Sequence, residues 1–191
     1  MSDAAAQSAE SRSGRSTRAV VTVLAGVVLM TLAAKVQIPF WPVPMTLHTL
    51  AVMAFAVVLG PRLAVAIFLT YLATGAAGLP VFSGSPERGV GLAYIVGPTG
   101  GYLAGYLVAS WLAGTRARRR GFFGRIGAML AGMVAIYGLG LAWLAIYVPV
   151  DGLLAAGLWP FLPGDLVRIG VVAAASAVLP IARLLSRGDR E

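Results

Sequence analysis

The chain is predicted to be an all-α membrane protein with six transmembrane helices, on three observations. Its 191 residues are 59% hydrophobic and 12% charged, with a mean hydropathy of +0.85; a soluble domain carries about a quarter charged residues. Glycine and proline are abundant, at 24 and 11 residues, as is common in packed membrane helices. Third, the basic residues fall on one side of a six-span arrangement, as the elements below make plain.

Residues 1–18 are rich in Ser, Ala and Arg without apolar periodicity. They are predicted to be a disordered cytoplasmic tail, too polar for the h-region of a cleaved signal. The first apolar segment, Ala19 to Ala34, closes at Lys35, whose stem can snorkel to the interface. Gln37-Ile38-Pro39-Phe40-Trp41-Pro42-Val43-Pro44 follows, and its prolines cannot continue a helix. It is too apolar for a solvated linker, so it is predicted to fold back into the protein, which membrane depth tolerates where backbone is buried or lines a cavity.

The second span is expected over about Met45 to Leu59 and the third over Leu63 to Gly78, after the Gly60-Pro61-Arg62 turn. A long loop, Leu79 to Val96, carries Ser83, Ser85, Glu87 and Arg88. The fourth span is expected over Gly97 to Gly114 and the fifth over Ile126 to Val148. After a loop from Pro149 to Pro163, the sixth covers Leu166 to Leu185, about 20 residues and so the length of a membrane span. The organisation predicted is a single membrane domain over 19–185, with a short cytoplasmic tail at 186–191.

Charge placement tests that count. With the N-terminus inside, the inner side holds Arg12, Arg15, Arg18, Arg62, Arg116, Arg118, Arg119, Arg120, Arg125, Arg183, Arg187 and Arg190, which is 12 of 15 basic residues. Lys35, Arg88 and Arg168 remain outside. The positive-inside rule is strongly satisfied, and adding or dropping one span would scramble it. The outer connections are long and rich in Pro and Gly, as if built to enclose something.

The composition also excludes functions. There is no Cys and one His, and outside the tails the carboxylates are Glu87, Asp151 and Asp165, so neither thiolate chemistry nor a zinc site is supported. The sole lysine, Lys35, follows no phosphate-cradling loop; uphill transport driven by ATP would need another chain. The net charge of +8 reads as loop charge setting orientation rather than as a nucleic-acid footprint. No acid–base–nucleophile set is evident, so no catalytic residue, metal or cofactor is assigned and an enzyme is not expected.

The candidate site is Phe161-Leu162-Pro163-Gly164-Asp165-Leu166-Val167-Arg168. An acid and a base at i, i+3 share a helix face, and charges just inside a span are expensive unless they have a function. Arg168 can hold a ligand carboxylate with its fork, or merely bridge to Asp165. Asp165 can accept from N–H groups of a urea or amide, or cap the sixth helix. His48, flanked by Thr46 and Thr49, is a ligand contact or a hydrogen-bonded core residue. Phe40, Trp41, Phe82, Tyr94, Trp159 and Phe161 gather in the outer loops as interfacial belt or pocket wall. Gly97, Gly101, Gly105 and Ala109 form a small-residue stripe, for packing within the chain or against a partner.

Four ordered motifs together resemble the BioY family, the biotin-binding substrate (S) components of energy-coupling-factor (ECF) transporters. They are Ile38-Pro39-Phe40-Trp41-Pro42-Val43-Pro44-Met45-Thr46-Leu47-His48-Thr49-Leu50, Gly78-Leu79-Pro80-Val81-Phe82, Gly97-Pro98-Thr99-Gly100-Gly101-Tyr102 and Phe161-Leu162-Pro163-Gly164-Asp165-Leu166. The resemblance covers about residues 20–185. It implies a six-helix S-component fold in a bacterial plasma membrane, with biotin bound near the outer face under loop lids. It further implies a transmembrane coupling protein and cytoplasmic ATPase subunits as partners, with the S component toppling in the lipid bilayer to release the vitamin. Small residues of the first helix, here Ala25, Gly26, Ala33 and Ala34, would face the coupling protein. Asp165 would bind the ureido end of biotin, and Arg168, where the family usually has Lys, the valerate carboxylate. His48 stands where the family often has Gln, and Arg88 is a further candidate partner for the carboxylate; Trp41, Thr46, Phe82 and Tyr94 complete the expected site. An S component for another small carboxylated vitamin and a non-transport structural membrane protein are the alternatives.

Overall fold

The computed structural model describes residues 2–38, 42–84, 89–118 and 120–178. The chain runs α1 (Ser2–Lys35), β1 (Gln37–Ile38), β2 (Met45–Thr46), α2 (His48–Leu59), α3 (Pro61–Ala76), α4 (Leu92–Ile95), α5 (Gly100–Ala117), α6 (Phe122–Leu144), α7 (Val150–Gly157) and α8 (Leu162–Val178). The six expected spans correspond to α1, α2, α3, α5, α6 and α8. By length and composition, Ser16–Lys35, Phe122–Leu144 and Val150–Val178 are long and apolar enough to cross a membrane, and α2 and α3 are shorter apolar helices.

Several boundaries differ from expectation. Helical backbone begins at Ser2 rather than near Ala19, since this stretch contains several Ala and Arg, which favour helix, and lacks proline. The two longest outer connections are not plain loops, because each carries a short helix, α4 and α7. The last helix starts at Leu162, four residues before the expected start. Pro163 fits its first turn, where the N–H that proline lacks has no helical partner anyway.

The Pro-rich segment folds back as expected. Its ends are clipped by a two-residue antiparallel ladder pairing Gln37 with Thr46 and Ile38 with Met45, and Pro42, Val43 and Pro44 are buried. Pro39, Phe40 and Trp41 lie outside the described residues. At the other end of α2, Gly60 at φ +81° turns the chain directly into α3, with Pro61 in its first turn. A side chain would be strained in that left-handed backbone.

α2 is the central helix, packed against α1, α3, α5, α6 and α8. Ala51, Val52, Met53 and Ala56 are buried along it. Its neighbours turn apolar residues outward, among them Val20, Leu24 and Val28 on α1 and Val134 on α6, as lipid contact requires. The hydrophobic effect does not hold such helices together in lipid; close packing does. The stripe on α5 supplies it within the chain. A Cβ at Gly105 would lie 2.6 Å from Cα of Ile136, and one at Gly101 2.5 Å from the Leu139 carbonyl, so α6 seats directly on α5. On α1 the small residues divide: Gly26 and Ala34 are buried, Gly26 against Ile67 of α3, while Ala25 is exposed. With α1, α3 and α6 ending, and α2, α5 and α8 beginning, at the same side, one end of the bundle collects the ladder, the loop 77–84, α4 and α7.

Candidate ligand-binding site

A cavity partly open to solvent lies at that end. Its polar wall is built from α8, α2 and α6. Asp165, in the first turn of α8 and 4% exposed, accepts at Oδ2 from Tyr137 of α6 (2.7 Å) and Thr49 of α2 (3.2 Å), and at Oδ1 from Arg168 one turn on. Because the Thr49 proton goes to a carboxylate, which only accepts, the Tyr106 hydroxyl donates to Thr49 Oγ1 at 3.4 Å. Asp165 is therefore not the N-cap of α8: its own N–H joins the helix, bonding to the Phe161 carbonyl, and its side chain meets three side-chain donors. A carboxylate offers about four acceptor positions, so capacity remains for a donor arriving from the cavity.

Arg168 lines the cavity beside Asp165, its side chain 21% exposed against 5% for the acid. The i, i+3 spacing thus delivers an acid and a base side by side. His48 and Thr46 also line the cavity. Thr46 Oγ1 is 2.8 Å from His48 Nδ1, and His48 Nε2 is 2.9 Å from the Tyr71 hydroxyl. The imidazole stacks on Tyr106 at 5.5 Å between ring centroids.

Tyr94 of α4 lines the wall, with its hydroxyl 2.6 Å from Ser83 Oγ. Phe82 does not line the cavity. It is fully buried behind Tyr94, stacked on it at 4.7 Å, with its ring in the space that the missing side chain of Gly75 leaves free. Trp159 is 59% exposed, as suits an interfacial belt, whereas Phe161 lines the cavity. Arg88 and Trp41 lie outside the described residues. Lys35 donates to the Phe82 carbonyl at 3.0 Å, so its ammonium fastens the loop over the cavity.

Sequence reasoning missed Tyr102, Tyr106 and Tyr137, all of which line the cavity. Their signal was a phenol inside an otherwise apolar span, with Tyr102 and Tyr106 at i, i+4 on one face. Tyr102 also reaches out of the wall, donating to the Gly157 carbonyl at 2.7 Å and holding α7.

The profile of the BioY family matches residues 5–187. The chain belongs to the BioY family. Among its relatives, the biotin transporter BioY of Rhodobacter capsulatus is 41% identical over 76% of this chain and 85% of that one. The probable biotin transporter BioY of Pyrococcus horikoshii is 35% identical, covering 83% and 90%, and the biotin transporter BioY of Thermotoga maritima 36%, covering 76% and 85%. The crystal structure of the S-component for biotin from an ECF-type ABC transporter superposes with a TM-score of 0.74 at 23% identity, over 91% of this chain and 93% of that chain. That likeness identifies the fold: this BioY-family chain has the six-helix S-component architecture of a multi-pass plasma-membrane protein.

Proposed function

We propose that the protein captures biotin at the outer face of the plasma membrane and mediates its uptake, as a transport component and not an enzyme. The observation that carries this reading is the cavity, whose one buried carboxylate is surrounded by phenol rings and flanked by a guanidinium. An apolar bicycle suits Tyr102, Tyr106, Phe161 and the His48 face, and a urea suits Asp165. The names of the relatives support the same ligand.

Asp165 accepts from the ureido N–H groups. Arg168 pairs with the valerate carboxylate, with Arg88, Trp41, Thr46, His48, Phe82 and Tyr94 as further members of the site or its support. A second reading of Arg168 follows from its bond to Asp165: held there, the guanidinium stands at the ureido end and donates to the ureido oxygen. The membrane domain spans 19–185, with 1–18 and 186–191 on the cytoplasmic side. Its partners are the lipid bilayer, a transmembrane coupling protein and cytoplasmic ATPase subunits, since the chain has no nucleotide-binding loop of its own. No nucleic acid is involved.

Isothermal titration of the purified protein tests this. Biotin should bind, and Asp165→Ala should weaken binding by about 1–3 kcal/mol through the lost buried bonds; equal affinity would sink the assignment. Biotin methyl ester separates the two roles of Arg168. If Arg168 pairs with the carboxylate, Arg168→Met abolishes the preference for acid over ester; if it serves the ureido oxygen, the preference survives.

A further inference from the structure

We propose that His48 is a positioning residue and not a ligand donor: it is the middle link of a one-way hydrogen-bond chain that fastens the loop over the cavity to the Pro-rich hairpin. The direction of the chain follows from its end. Tyr71 Oη donates to the backbone carbonyl of Val81 at 3.3 Å, and a carbonyl only accepts. The single proton of Tyr71 is then committed, so the bond between Tyr71 Oη and His48 Nε2 must be donated by Nε2. An imidazole protonated at Nε2 presents Nδ1 as an acceptor, which takes the hydroxyl proton of Thr46. Thr46 Oγ1 in turn accepts from the backbone N–H of His48 at 3.4 Å. Each proton is used once, and no N–H of the ring is left for a ligand.

The chain joins two pieces of outer backbone that have no covalent reason to move together. Thr46 belongs to β2, opposite Gln37 in the ladder, and Val81 to the loop following α3. That loop is gripped at three successive residues: Val81 by Tyr71, Phe82 by Lys35 and Ser83 by Tyr94. Thr46, His48 and Tyr71 are 8%, 4% and 0% exposed, so water does not compete for these bonds. The face of the ring not stacked on Tyr106 is what the ring can offer the cavity; its edges are engaged. With the edges engaged, His48 sets how tightly hairpin and loop close over whatever the cavity holds.

This deepens the biotin reading and rests on it for the ligand experiments alone. His48 is the one histidine of the chain, so the imidazole resonances of ¹⁵N-histidine-labelled protein report on it without ambiguity. Without any ligand, the spectrum should show Nε2 protonated and Nδ1 bare; protonation at Nδ1 overturns the proposal. If that pattern is seen and biotin does not bind, the ligand reading fails and the chain of bonds stands. With biotin, His48→Leu and Tyr71→Phe should each speed dissociation by about tenfold, the effect of one buried hydrogen bond. The double variant should be no worse than the poorer single one, because both break the same chain. His48→Gln, which can accept from Thr46 and donate to Tyr71, should restore most of the lost residence time. Additive single effects, or no rescue by glutamine, would contradict the proposal. If His48→Leu does not fold, the Tyr71→Phe rate and the unsubstituted spectrum still decide it.

Discussion

The α5–α6 seam and the cover over the cavity are assembled by opposite means. Along the seam, Gly101 and Gly105 let Leu139 and Ile136 backbone approach to within van der Waals limits, so the contact is continuous and has no slack. The cover is held at points. Tyr71 fastens Val81, Lys35 fastens Phe82, Tyr102 fastens Gly157 and Trp143 Nε1 fastens Gly97, in each case one side-chain donor on one backbone carbonyl. Steric fit fails as a whole when one residue is enlarged, whereas point attachments fail one at a time. A binding protein needs both: a wall that keeps its shape and a cover that can be released.

The largest effect should come from the seam. Gly105→Leu would drive side-chain atoms into the Ile136 backbone and should cost more than about 3 kcal/mol, at or beyond the usual overpacking range. Thermal unfolding with size-exclusion profiles in detergent would show it, while Gly138→Leu, on the open face of α6 with nothing within 4 Å, should unfold as the wild type does. Similar melting of both variants would erase the distinction drawn between seam and surface.

Smaller effects should come from the cover. Tyr102→Phe keeps the ring and loses the bond to Gly157, which should cost about 1 kcal/mol. It would be seen as faster amide exchange in α7 and a shorter biotin residence time; unchanged exchange would show that α7 is held by packing alone. Lys35→Met keeps the stem and removes the ammonium from the Phe82 carbonyl. Being at a half-open position, it should cost less, about 0.5 kcal/mol, and change dissociation by about twofold. A larger effect than that of Tyr102→Phe would invert the ranking of the two covers.

The helix count was legible because it depends on composition and charge, which are local properties of segments: the basic Arg116 to Arg125 stretch and the Pro39 to Pro44 run say where spans must end. The pairing of Asp165 with Arg168 was legible for a similar reason, being fixed by helical spacing. What the cavity wall adds was not. Thr49, Tyr106 and Tyr137 come from three helices, and their meeting beside Asp165 depends on how far α5 and α6 close on each other, a distance set by Gly101 and Gly105, each one residue before a tyrosine of the wall. Phe82 was misplaced because burial and pocket lining favour the same residue type; Gly75, seven residues earlier, decides between them.

The shortness of α2 has a consequence for the path of the cargo. Its 12 residues span about 18 Å at ~1.5 Å per residue, against a hydrocarbon thickness of about 30 Å. The inner end is marked by the turn at Gly60 and the exposed Arg62. An upright α2 with that end at the inner boundary puts His48 about 12 Å below the outer one, roughly two-fifths of the way across. In that geometry a molecule resting on the cavity floor would already have completed part of the crossing, leaving only the remaining distance to cover.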